Sequence, residues 1–374
     1  MIDLSKLPAP AIVEELDFES ILAAMRADLA ARLPGWTAAA LESDPANKIL
    51  EAAAYRELML RQRVNEAARA CMLAFAAGGD LEHLSAFYAV ARLEGARATF
   101  PAELSLSAAL PQDVTIPRGY AVADASGNAA ELSRNVTIAA GLTAAVGVFE
   151  VTSPAGGAGN GLSSHWSATA PLPWVVKITQ TAAASGGSDA ESDDSLRART
   201  QLSPESWSVA GPAGAYKYWA LSADGRLADV HVFCPAPGTV QVTALSQEGD
   251  GTADEAMLGR IRAILDDEKI RPLSDSVVVR SALPLSYQIR AHLKIEAGAS
   301  PAPVLAEARA ALEKLAAAKH KINAELPRSA VIAAAHVEGV RKVALARPET
   351  DLSASADEAP YCSGIAVTWS IADE

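Results

Sequence analysis

The spacing of apolar and polar residues predicts helices over the first region of the chain, residues 1–98. An extended arm with two prolines comes first, and a short amphipathic stretch follows between Phe18 and Leu33. Pro34-Gly35 interrupts this stretch, because neither residue continues a helix well. We therefore expect a short helix before this pair and a separate helix after it.

The second helix is expected to be unusually long. Asp44-Pro45 predicts its start, because Asp is a favourable N-cap and Pro fits the first helical turn. Residues 46–77 contain neither Pro nor Gly, and Gly78-Gly79 would supply the stop. At 1.5 Å per residue, such a helix would be about 48 Å long, which exceeds the width of a small domain.

Apolar residues on this helix follow a heptad-like register, which we call the bundle seam. Residues of the bundle seam are spaced alternately by three and four positions, and all of them except Glu57 are apolar. Such a register is typical of helix bundles, although packing inside its own domain is the alternative. The length of the helix favours contact with other chains. The bundle seam comprises Leu50, Ala53, Glu57, Leu60, Val64, Ala67, Cys71 and Ala74.

Residues 99–184 change to the period of two that is typical of strands. Leu104 and Leu106 alternate with serines, and Pro117-Arg118-Gly119 marks a turn between two such runs. Further alternating runs follow on either side of a glycine-rich connection. The region is therefore predicted to be a small antiparallel β domain.

Residues 185–283 alternate between the two element types. The pattern predicts a helix, a hairpin of two strands, a second helix and a returning strand, in the order α-β-β-α-β. The second helix would open with a capping box, with Thr252 as its N-cap and Glu255 three residues later. This region is predicted to be an α/β domain.

Residues 284–374 open with a regular alternation. Apolar residues from Tyr287 to Ile295 alternate with polar ones, which predicts a strand with one buried face. A helix after Ser300, a helix over 328–336 and two more strands give the order β-α-α-β-β. The order resembles a permutation of the preceding region and favours two ferredoxin-like halves. The predicted fold class is multidomain α+β: a long-helix bundle segment, an antiparallel β domain and two α/β domains.

Composition and charge narrow the possible functions. The 32 Lys and Arg against 45 Asp and Glu give a net charge of −13, which argues against general binding to nucleic acid or anionic membranes. No apolar run approaches the roughly 18 residues of a membrane span. We expect no secretion signal, because the first residues lack a basic segment followed by an apolar core. Cys71, Cys234 and Cys362 are odd in number and far apart, so we expect folding in a reducing cytoplasm.

No residue pattern selects a catalytic or metal site. The histidines have no partners at metal-ligand spacing. The glycine-rich run 156–161 lies among predicted strands, which favours a tight turn over a phosphate loop. Asp189, Glu191, Asp193 and Asp194 precede a helix, where carboxylates stabilise the positive end; a hard cation is the alternative. We expect neither enzyme activity nor a cofactor.

Several runs resemble the baseplate J-like family of P2-like phages. Four long runs are the most specific: Ile2–Pro10, Val13–Glu19, Ala54–Glu57 and Arg61–Ala70. Shorter motifs resemble the family's β domain, glycine loop, mid-chain motif and third-region core. These motifs are Val114–Gly119, Gly159-Asn160, Gly186–Asp189 with Glu191 and Leu196-Arg197, Gly211–Tyr216, Val230 and Pro237–Val240. The resemblance extends over nearly the whole chain and is weakest over Asp351–Ser363. It also covers R-type bacteriocins, so the chain could belong to a phage or to a bacteriocin.

The resemblance implies a structural subunit of the baseplate wedge of a contractile tail. In this family, two copies join one smaller wedge protein, similar to protein I of P2-like phages, and their long helices form a core bundle. C-terminal domains pair neighbouring copies into a ring around the tail hub and spike, so residues 284–374 would form a dimerisation domain. The ring would couple a receptor signal, received indirectly from tail fibres, to sheath contraction. Such particles assemble in the bacterial host cytoplasm.

The resemblance also implies a contact with a sheath-initiating subunit, similar to protein W of P2-like phages. We place this contact on a polar flank of the bundle seam, which comprises Arg56, Arg63, Asn65 and Glu66. Two glycine pairs are hinge candidates for a change of wedge geometry, although static turns are the alternative. They are Gly78, Gly79, Gly186 and Gly187.

Two other functions stay open. A carbohydrate-binding or carbohydrate-active β protein of a tail could share the β-rich middle, but would usually display clustered aromatic residues, whereas the six Trp here are dispersed. A cytoplasmic scaffold unrelated to tails would account for the long helix and would leave the N-terminal motif unexplained.

Overall fold

The computed structural model describes most of the chain, and its internal contacts define two units. The first unit comprises residues 1–92 with 192–201, and the second comprises residues 93–191 with 202–374. No helix among the described residues is long and apolar enough to cross a membrane. Val13, Glu14, Glu15 and Pro34, named above, lie outside these residues. The structure describes residues 2–10, 16–33, 35–36, 44–170, 172, 174–208, 211–272 and 274–372.

The first unit consists of helices whose starts follow local sequence signals. Asp17 accepts a hydrogen bond from the Ser20 amide at 2.8 Å, and Asp44 accepts one from the Ala46 amide at 2.7 Å. Both carboxylates thereby satisfy amide groups that have no partner inside a helix. The helices are α1 (Phe18–Arg32), α2 (Pro45–Ala70), α3 (Gly78–Ala86) and α4 (Asp193–Leu202).

The long helix predicted over residues 46–77 is shorter in the structure. Helix α2 has 26 residues and ends at Ala70, with Cys71 as its C-cap. The segment that follows is held by a residue far away in the sequence: the Arg197 guanidinium donates to the Leu73 carbonyl at 2.8 Å and to the Ala76 carbonyl at 2.7 Å. Gly78 begins α3 instead of stopping α2, so the predicted end was wrong.

The β domain lies in the second unit and has the predicted alternation. Its two sheets have the strand orders β7-β3-β4-β6-β1-β8 and β2-β5, with antiparallel neighbours. Phe100 lies at the centre, stacked on Phe149 at 5.5 Å and on Trp166 at 4.9 Å between ring centroids. The strands are β1 (Thr99–Leu106), β2 (Val114–Ile116), β3 (Ala121–Ala123), β4 (Ala129–Leu132), β5 (Val136–Ile138), β6 (Ala144–Ser153), β7 (Ser167–Ala168) and β8 (Val175–Gln180).

The following segment has the predicted α-β-β-α-β order. Its sheet has the order β11-β10-β9, with one parallel and one antiparallel pair. Thr252 is not the N-cap of the second helix, because Asp254 takes that place and accepts from the Met257 amide at 2.6 Å. The elements are α5 (Ala213–Leu221), β9 (Leu227–Ala236), β10 (Thr239–Ser246), α6 (Glu255–Leu265) and β11 (Ser276–Ser281).

The C-terminal segment forms a second three-stranded sheet, of order β14-β12-β16. β12 is antiparallel to β14 and parallel to β16, and the apolar face of β12 packs with residues of both following helices. The fold class, a mixture of helices with several small sheets, is confirmed, while the division into four domains stays a prediction. The elements are β12 (Leu283–Ile295), α7 (Pro301–Lys319), β13 (Glu325–Leu326), α8 (Arg328–Ala335), β14 (Val340–Arg347), β15 (Leu352–Ser353) and β16 (Glu358–Ile371).

Candidate assembly surface

Helix α2 has one face packed against α1 and another that is exposed. Ala54 is fully buried on the packed face, together with Ile21 and Leu22 of α1. On the exposed side, Leu60 and Val64 retain 60% and 52% of their accessible surface. Because α1 has 15 residues and α2 has 26, α1 is too short to cover the full length of its partner.

A shallow groove runs along the exposed face of α2. Its volume is about 600 Å³, and the described residues that line it are Tyr55, Arg56, Met59, Leu60 and Arg63. Aromatic, Met and Arg side chains are enriched where proteins contact one another, because they combine large apolar areas with polar ends. The groove therefore has the chemistry of a protein-docking surface.

The structure places most residues of the bundle seam on this exposed side. Leu50 instead packs partly against α1, and Glu57 forms an ion pair with Arg61 on its own helix. Cys71 caps the helix, and Ala74 lies beyond its end. The seam members that are exposed in the single chain are Ala53, Leu60, Val64, Ala67 and Cys71.

The polar flank divides between two faces of α2. Arg56, Arg63 and Glu66 are exposed. Asn65 is only 7% exposed and lies on the packed side, so it is not available on the surface of the single chain. The initiator contact therefore stays a prediction for the three exposed residues.

Helix α4 braces the segment after α2, a role that the sequence did not reveal. Arg197 holds the Leu73 and Ala76 carbonyls, as described above. Asp193 accepts from the Gly78 amide at 2.9 Å and from Arg92 at 2.7 Å. The Gly78 hydrogen bond, followed by that from Arg92, lowers the pKa of the Asp193 carboxyl below its ordinary value.

The two glycine pairs proposed as hinges have different surroundings. Gly78 and Gly186 have φ angles of +53° and +80°, and an added Cβ would meet nothing within 4 Å at either one or at Gly79. Gly187 is enclosed: its amide donates to the Asn160 side chain at 2.8 Å, and a Cβ there would lie 2.3 Å from the Gly156 carbonyl oxygen. Hinge roles stay predictions.

The carboxylates of the acidic cluster bind backbone amides of three separate segments. Glu191 accepts from the Leu93 amide at 3.0 Å, and Asp189 accepts from the Gly157 amide at 3.2 Å. Asp193 binds Gly78, while Asp194 pairs with Arg197 at 2.6 Å. Among the residues that the structure describes, no group of three or more His, Cys, Asp or Glu could hold a metal ion.

This chain is similar to a known protein over its full length. Three family domains match: the baseplate J-like N-terminal domain over residues 42–99, the central domain over 208–281 and the C-terminal domain over 287–370. Baseplate protein J of Escherichia phage P2 is 37% identical over 380 residues, which cover 100% of this chain and 99% of that protein. The cryo-EM structure of the anti-feeding prophage baseplate, 6-fold symmetrised, aligns with a TM-score of 0.44 and 11% identity, over 98% of this chain and 96% of that one. Because three domains of the family match and a full-length relative is 37% identical, this chain belongs to the baseplate J-like protein family.

Proposed function

We propose that this chain is a structural subunit of the baseplate of a contractile tail, in which α2 joins a helix bundle with other wedge chains. The observation that carries the proposal is the exposed apolar face of α2. The full-length similarity to baseplate protein J of phage P2 supports it independently.

The exposed face of α2 is costly for a chain that stays alone in water. Burial of one Leu, Val or Met side chain contributes about 1.5–3 kcal/mol. Leu60 and Val64 follow the heptad-like register of the bundle seam, and Met59 lies beside them; all three leave much of this surface in water. A second copy of the chain and a smaller wedge protein would bury these side chains in a bundle of long helices.

The finer parts of the proposal concern assembly and contraction. Two copies join one small wedge protein, similar to protein I of P2-like phages, and residues 284–374 pair neighbouring copies into a ring around the hub and spike. The exposed polar flank contacts a sheath initiator similar to protein W. The ring then passes a receptor signal, received through the fibres, to the sheath. Assembly takes place in the cytoplasm of the bacterial host.

The bundle is tested by co-expression with the small protein encoded beside this chain. Leu60→Glu with Val64→Glu places two charges in the seam, so we expect at least about a hundredfold loss of co-purified partner, because central apolar anchors of interfaces carry about 2 kcal/mol or more each. Arg69→Glu is the matched control: it is exposed, and at 100° per residue it lies about 180° from Leu60 around α2. Full recovery of the partner by the double variant would contradict the bundle.

The initiator contact is tested on an assembled wedge. Arg56→Glu with Arg63→Glu reverses two exposed charges beside the seam. We expect the wedge to form and the initiator to be lost from pull-downs, because like charges across an interface repel. Unchanged recovery of the initiator would refute this contact and would leave the bundle proposal standing.

A further inference from the structure

The C-terminal sheet has one covered face and one open face. Ile289 and Leu293 of β12 are fully buried in a core that includes residues of α7 and α8. The alternate residues Gln288, Arg290 and Lys294 are exposed on the opposite side. Because side chains alternate between the faces of a sheet, residues paired with these three share the open face.

The open face is strongly basic. The register of β12 and β14 places Arg290 opposite Arg347 and Lys294 opposite Lys342, and all four side chains are exposed. Like charges directly opposite each other destabilise a sheet. Within the described residues, Lys294 and Lys342 form no ion pair, and Arg347 pairs only with the exposed Glu349 at 3.1 Å.

The basic character is local and is not a property of the whole chain. The strands β12, β14 and β16 contain five Lys and Arg and one acidic residue, Glu358, at the first position of β16. The chain as a whole has a net charge of −13. A concentration of positive charge on one sheet face of such an acidic protein calls for an anionic partner.

A polar hollow lies at the arginine end of this face. It encloses about 430 Å³ and is lined by Ser286, Tyr287, Gln288, Arg290, Arg347 and Ser363. The guanidinium groups and hydroxyls provide hydrogen-bond donors, and paired N–H groups of Arg match the geometry of a carboxylate. The hollow therefore suits Asp or Glu side chains of a partner.

The chain itself carries an exposed acidic segment whose charge is opposite to that of the open face. Asp266, Asp267 and Glu268 are consecutive and exposed at the C-terminal end of α6, where Asp266 is the C-cap. A helix C-terminus is the negative end of the helix dipole, so carboxylates there are unfavourable. Within the described residues, these three form no ion pair.

We propose that the open face of the C-terminal sheet docks the segment Asp266–Glu268 of a second copy of this chain. The inference rests on the proposed function, in which several copies surround the tail axis. Two different patches meet in such a contact, so each copy can bind a neighbour on both sides, and repeats of this kind form a ring when the rotation between copies closes. This contact would join neighbouring copies through a surface that does not include α2.

The test compares two full-length variants by sedimentation velocity at an ionic strength of about 0.05 M, where screening is weak. Both carry Leu60→Glu and Val64→Glu, which removes association through the bundle seam and separates the two proposals. The face variant adds Arg290→Glu and Arg347→Glu; the segment variant adds Asp266→Lys and Glu268→Lys. We expect the parent to self-associate and each variant alone to associate at least about tenfold more weakly, since several ion pairs are lost.

An equimolar mixture of the two variants provides the decisive result. Each reversed face then meets an oppositely charged segment on the other variant, so association is expected to return to the parent level. Lys314→Glu with Lys321→Glu is the control, because it makes the same change in charge at exposed residues outside the sheet. A monomeric parent, unchanged association of the single variants, or a mixture that fails to restore it would each overturn the proposal.

Zero-length carboxyl–amine cross-linking of the full chain gives a second readout that needs no substitution. In a mixture of isotope-labelled and unlabelled chains, we expect Lys294 or Lys342 to be linked to Asp266–Glu268 between the two labels. Cross-links from these lysines to other acidic segments in place of Asp266–Glu268 would contradict the contact.

Discussion

Helix α2 and the β domain of residues 99–184 use their apolar residues in opposite ways. In the β domain, the strands bury alternate side chains in one core, in which Phe100, Phe149 and Leu104 are fully inaccessible. In α2, Ala54 is the buried apolar residue, while Leu60 and Val64 are more than half exposed. The β domain buries its apolar side chains within the single chain, whereas α2 leaves several of its own exposed.

This difference separates residues that stabilise the chain from residues that assemble it. Side chains packed in a core contribute to the free energy of unfolding of the single chain. Exposed apolar side chains in a heptad-like register contribute only after a partner covers them. Substitutions in the two regions should therefore affect different measurements.

The β domain should be the region most sensitive to loss of volume. Phe100→Ala removes a fully buried ring stacked on Phe149 and Trp166. We expect the unfolding transition of this domain to lose about 3–5 kcal/mol, because a cavity forms and ring contacts disappear. Chemical denaturation measures it, and a loss below about 1 kcal/mol would show that the core collapses around the gap.

The brace from α4 should have an intermediate effect. Arg197→Ala removes the donors that hold the Leu73 and Ala76 carbonyls. We expect a local loss of about 1.5–3 kcal/mol, since hydrogen bonds from charged groups are the stronger ones. Amide hydrogen exchange over residues 71–77 measures it; Arg118→Ala, on an exposed turn, is the control and should leave that exchange unchanged.

The exposed seam should have almost no effect on the single chain. Leu60→Ala with Val64→Ala is expected to change the free energy of unfolding by less than about 0.5 kcal/mol, as surface substitutions usually do. The same variant should weaken the complex with the small wedge protein. If denaturation instead shows a loss of unfolding free energy comparable to that of Phe100→Ala, the seam is covered within the single chain. In that case α2 would not differ from the β domain in this respect.

The smallest effect concerns pH and Asp193. Its pKa is lowered in the folded chain from the ordinary value of 3.8, so its stabilising contribution is present above that value and is lost as the pH falls through the lower folded value. Asp193→Asn lacks this carboxylate. We therefore expect the difference in stability between the wild type and Asp193→Asn, measured by denaturation of the helical unit, to be constant near neutral pH and to shrink below about pH 4. A difference that grows on acidification would have the wrong sign.

The parts of the fold that the sequence predicted are those specified by neighbouring residues. The alternation from Tyr287 to Ile295 predicted β12, because one face of a strand is buried and the other is solvated. Asp44-Pro45 predicted the start of α2, where the carboxylate caps the first turn. The family resemblance was confirmed along the full chain.

The parts that the sequence did not predict depend on residues distant in the chain. No local Gly or Pro marks the end of α2, and the segment that follows it is held by Arg197, more than a hundred residues away. Asn65 looked like a surface residue beside Arg63, yet it lies on the packed face of α2. The basic face of the C-terminal sheet required the register that pairs Arg290 with Arg347, which spacing alone does not give.

The mass of the complex formed with the small protein encoded beside this chain shows whether α2 joins a helix bundle with other chains. Mass-resolved light scattering of the co-expressed wild-type proteins should give a 2:1 complex, with two copies of this chain and one of the small protein, because their helices cover the exposed face of α2. A chain that stays monomeric and does not respond to its neighbour would contradict the account, since α2 would then have no partner.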